Sequence, residues 1–399
     1  MDEEPPSKSD KKIIKYNAHS KTILLTPEEN QYEPPEGLKA DSEFKRLGVL
    51  NPAVIQDLGD KTKITLFPRL IYQDKHGTNS CIIKKEARIY GNEIILDNKE
   101  TTIFQAEAPH GLRGVEDFRT ADIKGEFPAH GYLVHFNGFD ARTEYVRTSK
   151  MNPRDYSQWQ RFGFFFPNIS AEEAIARVGP ERYKKSWDQT FGPTAIKGAK
   201  ECGHFVSENP YLGTKDCCNL PKKIWRKDEN NVPQEYYGVI IRALPDMQII
   251  YIKSFEELAK HSFWQKTVDN LENLVLLERE NEWEESHIGL AGAPIELESG
   301  IFLPYHGARM NPKREYKFGA ALLDKDNPQK ILARTKKAIL SATEPWESNG
   351  VVDGDVVFPT GHAVIGNKVH LFYGAGDKYI AHVVKTEQEI LDSLERSMK

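Results

Sequence analysis

The stretch KVHLFYGAGDKYIAHVV, residues 368–384, holds two runs rich in alternating residues around the turn phrase AGD. A period of two, β-branched and aromatic residues, and Gly with Asp between the runs mark two strands folded into a hairpin. The same signature recurs upstream in KITLFPRLIY (63–72), SCIIKKEARIY (80–90) and GYLVHFNGF (131–139). It returns in YGVIIRAL (237–244), MQIIYIKS (247–254) and GIFLPYHG (300–307). Many short strands without long intervening helices predict an all-β fold. A sandwich, a barrel and a propeller all satisfy that pattern.

Three regions interrupt it. Residues 1–40 are polar and carry Pro5, Pro6, Pro34 and Pro35, so an irregular N-terminal arm is expected there. SAEEAIARVGPERYKKSWD (170–188) opens with Ser and two glutamates, as a helix N-terminus does. It sits within an expected insertion, residues 151–210, near the entrance of the site. TEQEILDSLERSMK (386–399) places Glu389 three residues after Thr386, a capping box, and so predicts a C-terminal helix packed through Ile390, Leu391 and Leu394. The main domain is then 41–385. No internal repeat is evident.

Composition narrows the function classes. With 39% hydrophobic and 28% charged residues, the 399-residue chain reads as an ordinary globular protein with a substantial core. A net charge of −5 gives no electrostatic reason to expect nucleic acid. No apolar run approaches the ~18 residues that span a bilayer, and no membrane partner is expected. The first residues, MDEEPPSKSDKK, contain no apolar core of a signal peptide, so a cytoplasmic protein is expected. Cys81, Cys202, Cys217 and Cys218 lack CxxC spacing and read as reduced thiols. The twelve histidines show no metal-ligand spacing, and no metal is expected. Nor is there a GxGxxG or P-loop phrase, so no nucleotide cofactor is expected.

Chemistry concentrates in a series of Gly-flanked phrases: GVEDFR (114–119), WEESHIGLAGAPI (283–295), YHGAR (305–309), GAALLD (319–324), VVFPTG (356–361) and FYGAGD (372–377). Carboxylates, a histidine and arginines at the ends of short apolar runs describe a site assembled from many strand ends. Their order and wording resemble glycoside hydrolase family 130, whose members cleave β-mannosides, mostly with phosphate rather than water. The match is best over 283–380, fair over 46–150 and weak over 151–210. The resemblance implies a five-bladed β-propeller with its site in a central funnel, and inorganic phosphate as co-substrate in place of any cofactor.

It also implies roles. Asp117 matches the family's proton donor; read alone, an Asp after Glu116 and before an apolar residue is a turn or surface carboxylate. Burial beside Val115 and Phe118 is expected to keep it protonated. Lys215 in TKDCCNLP, Arg242 in IIRALP and His306 in YHG match phosphate-site positions, and Asp216 beside Lys215 matches a substrate-contact position. His287 stands where the family carries Lys or Arg, and is expected to be a weaker, partly charged phosphate ligand. Arg69 in LFPRLIY and Asp377 in FYGAGD match the mannosyl subsite, with Asn51, Glu116 and Tyr316 as further substrate contacts. Arg119 is as well suited to holding its loop as to touching sugar.

The expected reaction is inverting phosphorolysis of a β-manno-oligosaccharide or mannosyl disaccharide, giving α-mannose 1-phosphate. The main rival is an inverting β-mannosidase with Glu284 or Glu285 as base, though both also read as exposed strand residues. A second rival is a non-catalytic glycan-binding propeller. A homo-oligomer is compatible with either.

Overall fold

The computed structural model describes residues 11–30, 33–105, 113–126, 128–166, 169–203, 206, 210 and 212–395. The chain is mostly β, with few helices. The hairpin at 368–384 is observed: Lys368–Ala375 pairs with Tyr379–Thr386, from Lys368↔Thr386 to Ala375↔Tyr379. Gly376 (φ 59°) and Asp377 (φ 52°) make its turn in the left-handed region, which Gly enters freely and Asp tolerates.

Among the described residues the strands form four sheets. The first runs, in spatial order, Lys11–Lys15, Glu93–Asp97, Gly77–Tyr90, Lys63–Asp74 and Lys45–Gln56. The second is Trp159–Phe164, Ala141–Thr148, His130–Phe136 and Val115–Ala121. The third is Lys215–Lys227, Pro233–Ala243, Asp246–Ile252 and Val275–Leu277. The last and largest begins at His287–Leu290 and ends, after Tyr379–Thr386, on Thr22–Leu25. Its two halves meet only through a short parallel join, Glu315↔Asp355 and Tyr316↔Val356.

Lys45–Gln56, Val115–Ala121, Lys215–Lys227 and His287–Leu290 each form an edge of their sheet. They lie side by side in that order, and Asp355–Ile365 packs back against Lys45–Gln56. Apolar side chains fill the spaces between sheets, as where Ile240 and Ile249 of the third meet Ile288, Leu303 and Tyr305 of the fourth. The arrangement brings the edge strands of successive sheets together around the centre.

The irregular arm expected over residues 1–40 is corrected where it is described. Lys11–Lys15 pairs with Glu93–Asp97, and Thr22–Leu25 pairs with the closing strand Tyr379–Thr386. The second pairing buries Leu24 and Leu25, and that burial outweighs the polar composition around them. Residues 1–10 lie outside the described region.

The single helix expected over 170–188 is two, Ala171–Arg177 and Glu181–Phe191, followed by Pro193–Glu201. Ser170 caps the first by accepting from the Glu173 amide. Pro180 separates them, because a proline cannot continue the preceding helix. Tyr183, Trp187 and Phe191 are buried in one cluster with Phe165, Val239 and Ile241. The segment therefore helps build the core between the second and third sheets. No described residue of 151–210 lines the central cavity. At the other end, Thr386 and Glu389 cap Glu387–Glu395 reciprocally, and Ile390 and Leu394 are buried against the fourth sheet.

Candidate active site

Three edge strands place a polar residue by the same device. Asn51 (φ 47°), Asp117 (φ 43°) and Asp216 (φ 57°) each adopt the left-handed region where their strand slips register against its neighbour. A bulge of this kind turns one side chain out of the regular alternation, and Asn and Asp accept the backbone it requires. Two glycines of the signature phrases give these side chains room. A Cβ on Gly374 would stand 1.9 Å from Asn51 Oδ1, and one on Gly289 would stand 2.3 Å from Asp216 Oδ2.

The bulged residues meet at a cavity of about 250 Å³. Asn51, Arg69, Glu116, Asp117, Lys215, Asp216, Arg242, His306, Tyr316 and Asp377 all line it. His287 does not. Asn51 Nδ2 donates to Asp117 Oδ1 at 2.9 Å. Glu116 bridges two cations, accepting from Arg69 Nη2 at 2.8 Å and from Lys215 Nζ at 2.6 Å. Asp216 bridges two others, Arg119 Nη2 and Arg242 Nη1, each at 2.7 Å. Arg119 also donates to the carbonyls of Asp117, Leu290 and Ala291. It is fully buried and holds the bulge, so of its two readings the loop-holding one applies.

Electrostatics correct one expectation outright. Burial alone would raise the Asp117 pKa, but Arg69, Lys215 and Arg119 outweigh it and bring the carboxyl down to about 2. These cations therefore favour the ionised form of Asp117 over the protonated one. Burial likewise opposes the Lys215 charge, and Glu116 with Asp117 reverses the effect and raises its pKa.

The histidines are corrected too. Burial, then the nearby Arg242 and His306, push the His287 pKa well below its ordinary value. His287 is thus neutral and sits behind Tyr316, its Nε2 3.4 Å from that hydroxyl and its Nδ1 3.0 Å from Ser286 Oγ. It is no phosphate-binding cation. His306 is also held neutral, by burial and by Arg242 and Arg119. It does line the cavity, and neither ring nitrogen has a hydrogen-bond partner among the described residues. Asp216 Oδ2 stands 3.7 Å from its Nε2.

Glu284 is neither an exposed strand residue nor a free base. It is fully buried and accepts from Tyr305 Oη and Arg334 Nη2, each at 2.7 Å, and from two backbone amides. Glu347 repeats that corner, accepting from Tyr373 Oη at 2.9 Å and Lys21 Nζ at 2.7 Å. Trp283 stacks on Tyr305 as Trp346 stacks on Tyr373. The paired phrases WEES (283–286) and WESN (346–349) are thus one structural unit used twice, a repeat the sequence reading missed. Glu285 is exposed and lines no part of the cavity.

Arg314 was also missed. It lines the cavity, pairs with Asp377 Oδ2 at 2.8 Å and lies 5.1 Å from the Tyr316 ring. The signal was its spacing of two from Tyr316, which puts both on one side of an extended chain. Among the described residues, no group of three His, Cys, Asp or Glu could hold a metal ion, and no helix is long and apolar enough to cross a membrane.

The family model described as beta-1,4-mannooligosaccharide phosphorylase, Glyco_hydro_130, matches residues 219–396. A 1,2-beta-oligomannan phosphorylase of Thermoanaerobacter sp. (strain X514) is 25% identical over 88% of this chain and 94% of its own length. A beta-1,2-mannobiose phosphorylase of the same organism is 40% identical over 27% of this chain and 35% of its own. Among solved structures, the beta-1,2-mannobiose phosphorylase from Listeria innocua superimposes with a TM-score of 0.62 at 20% identity, covering 96% of this chain and 99% of that one. By fold, then, the chain is a mostly-β protein of the propeller-like kind. Its C-terminal part matches the glycoside hydrolase family 130 model, and most of its length is similar to a mannoside phosphorylase.

Proposed function

We propose that this protein cleaves β-mannosides by a single inverting displacement in which inorganic phosphate attacks the anomeric carbon. The glycosidic C–O bond breaks as the C–O bond to phosphate forms, and the leaving oxygen takes a proton delivered by Asp117, directly or through a substrate hydroxyl. The products are α-mannose 1-phosphate and the shortened mannoside.

One observation carries the reading. Four cations, Arg69, Lys215, Arg242 and Arg314, line a single cavity together with the ring of His306. Lys215, Arg242 and His306 would hold phosphate; a protonated Nδ1 or Nε2 of the neutral imidazole is still a donor. Arg69 and Asp377, with Asn51, Glu116, Asp216, Tyr316 and Arg314, would hold the mannosyl unit. A phosphate dianion beside Lys215 would offset the cations that keep Asp117 ionised and so raise its proton affinity. The phosphorylases among its relatives support the same choice of nucleophile. Hydrolysis loses both bases first considered for it, since Glu284 is engaged in the core and Glu285 is turned away.

Five blades belong to this reading. Dividing the fourth sheet at its short parallel join yields two units, each comparable to the second and third sheets. The function is tested by synthesis in reverse. With α-mannose 1-phosphate as donor and mannose as acceptor, the protein should form a β-mannoside and release phosphate. Failure with mannose and with β-manno-oligosaccharide acceptors alike would overturn the assignment.

A further inference from the structure

The cavity is graded from a buried, charged floor to an apolar mouth. The His306 side chain is 0% exposed, those of Lys215 and Arg314 are 26% and 28% exposed, and Val351 and Val352 are each 44% exposed. Both valines line the cavity at the tip of a short turn. Exposed apolar residues beside a cluster of charges need an explanation, since scattered surface valines would not share one rim.

The turn is built, not loose. Asn349 and Asp353 bridge across its base, and Asn349 Nδ2 donates to the Pro345 carbonyl. Gly350 lies directly on the Asp377 turn: a Cβ there would fall 1.2 Å from the Gly376 carbonyl oxygen, so no other residue fits. On its other side Val351 Cγ2 is 3.5 Å from where a Cβ on Gly48 would stand. The valines therefore sit where Asp355–Ile365 and its hairpin meet Lys45–Gln56. Lys215 and Arg242 stand on the third sheet, which lies between the second and fourth in the succession of edge strands. That is across the cavity from the valine turn.

In an inverting displacement, nucleophile and leaving group occupy opposite faces of the anomeric carbon. Resting on the proposed phosphorolysis, with phosphate at Lys215 and Arg242, we infer that Val351 and Val352 form the wall that receives the leaving sugar. They would set the preference for the acceptor in the reverse reaction. The C–H face of a pyranose is apolar, and a pair of valines at the mouth offers it a dry surface while the hydroxyls turn to water or to Arg314. These two residues are specificity determinants and take no part in bond making.

The test is the reverse reaction with Val351→Ser, Val352→Ser and the double variant. Each is a small change at a half-exposed position, and the melting temperature should stay at the wild-type value. The acceptor KM for mannose or a β-manno-oligosaccharide should rise roughly three- to tenfold per valine, while the KM for α-mannose 1-phosphate stays unchanged. Val352→Leu should keep the acceptor KM near wild type. An acceptor KM that does not move, or one that rises only in step with the donor KM, overturns the inference and leaves phosphorolysis standing. A wild type unable to use the donor with any acceptor removes the phosphorolysis reading and this inference with it.

Discussion

Glu116 holds Lys215 by a 2.6 Å ion pair at the wall of the cavity, with Arg69 on its other carboxylate oxygen. The ammonium assigned to phosphate is therefore already partnered before any substrate arrives. Phosphate must share or displace that carboxylate, which makes Lys215 the residue on which phosphate affinity should depend most steeply.

Lys215→Ala should raise the phosphate KM about ten- to a hundredfold, the range expected for losing a charge-assisted hydrogen bond. The KM for the mannoside should change much less. Steady-state kinetics with each substrate varied in turn measures both. Equal effects on the two would assign Lys215 to the sugar.

Asp117→Asn should cut turnover by about a hundred- to ten-thousandfold, since an amide cannot supply the proton. It should also destabilise the fold in a pH-dependent way. The folded Asp117 has a depressed pKa, so its contribution is complete above the unfolded value of about 3.9 and is lost as pH falls through about 2. At neutral pH the cost should be about 2 kcal/mol. Denaturant titrations of both proteins should show curves that draw together only below pH 4. A constant offset down to pH 2 would mean that Asp117 is not held ionised by its cations.

Glu284→Gln should act on stability and not on the nucleophile. It removes the buried charge facing Arg334, which keeps Glu280 and the Glu278 carbonyl, and weakens the corner with Tyr305, which should cost roughly 1–3 kcal/mol. The surviving folded protein should keep its phosphate dependence. Glu285→Gln should leave both melting temperature and rates as they are. Loss of hydrolytic activity in either variant, with normal melting, would restore the water-activating role.

His287→Ala should leave the phosphate KM within about twofold of wild type, because a neutral ring outside the cavity carries no charge to lose. A large increase that grows toward acidic pH would show that the imidazole is protonated at the phosphate site after all.

Much of the site was legible because site residues sit in short phrases whose glycines have steric causes. Gly289 and Gly374 are fixed by the side chains that pass over them. The β class was legible from period-two runs such as 368–384. What escaped reading depends on distance in the chain. Thr22–Leu25 is a four-residue strand whose partner begins more than 350 residues later, so its local composition says nothing of its pairing. The protonation of Asp117 is set by Arg69 and Lys215 from other sheets, and its own neighbours Val115 and Phe118 pointed the wrong way. Glu284 looked exposed because both of its cross-sheet partners, Tyr305 and Arg334, lie outside its phrase.

The central claim is that phosphate is the nucleophile. The most direct measurement is the initial rate of cleavage of a β-manno-oligosaccharide as phosphate is varied, with the products identified at each concentration. The account predicts a rate that rises from near zero and saturates with phosphate, with α-mannose 1-phosphate formed in proportion to bonds broken. A rate indifferent to phosphate, with free mannose as the only monosaccharide product, would contradict it.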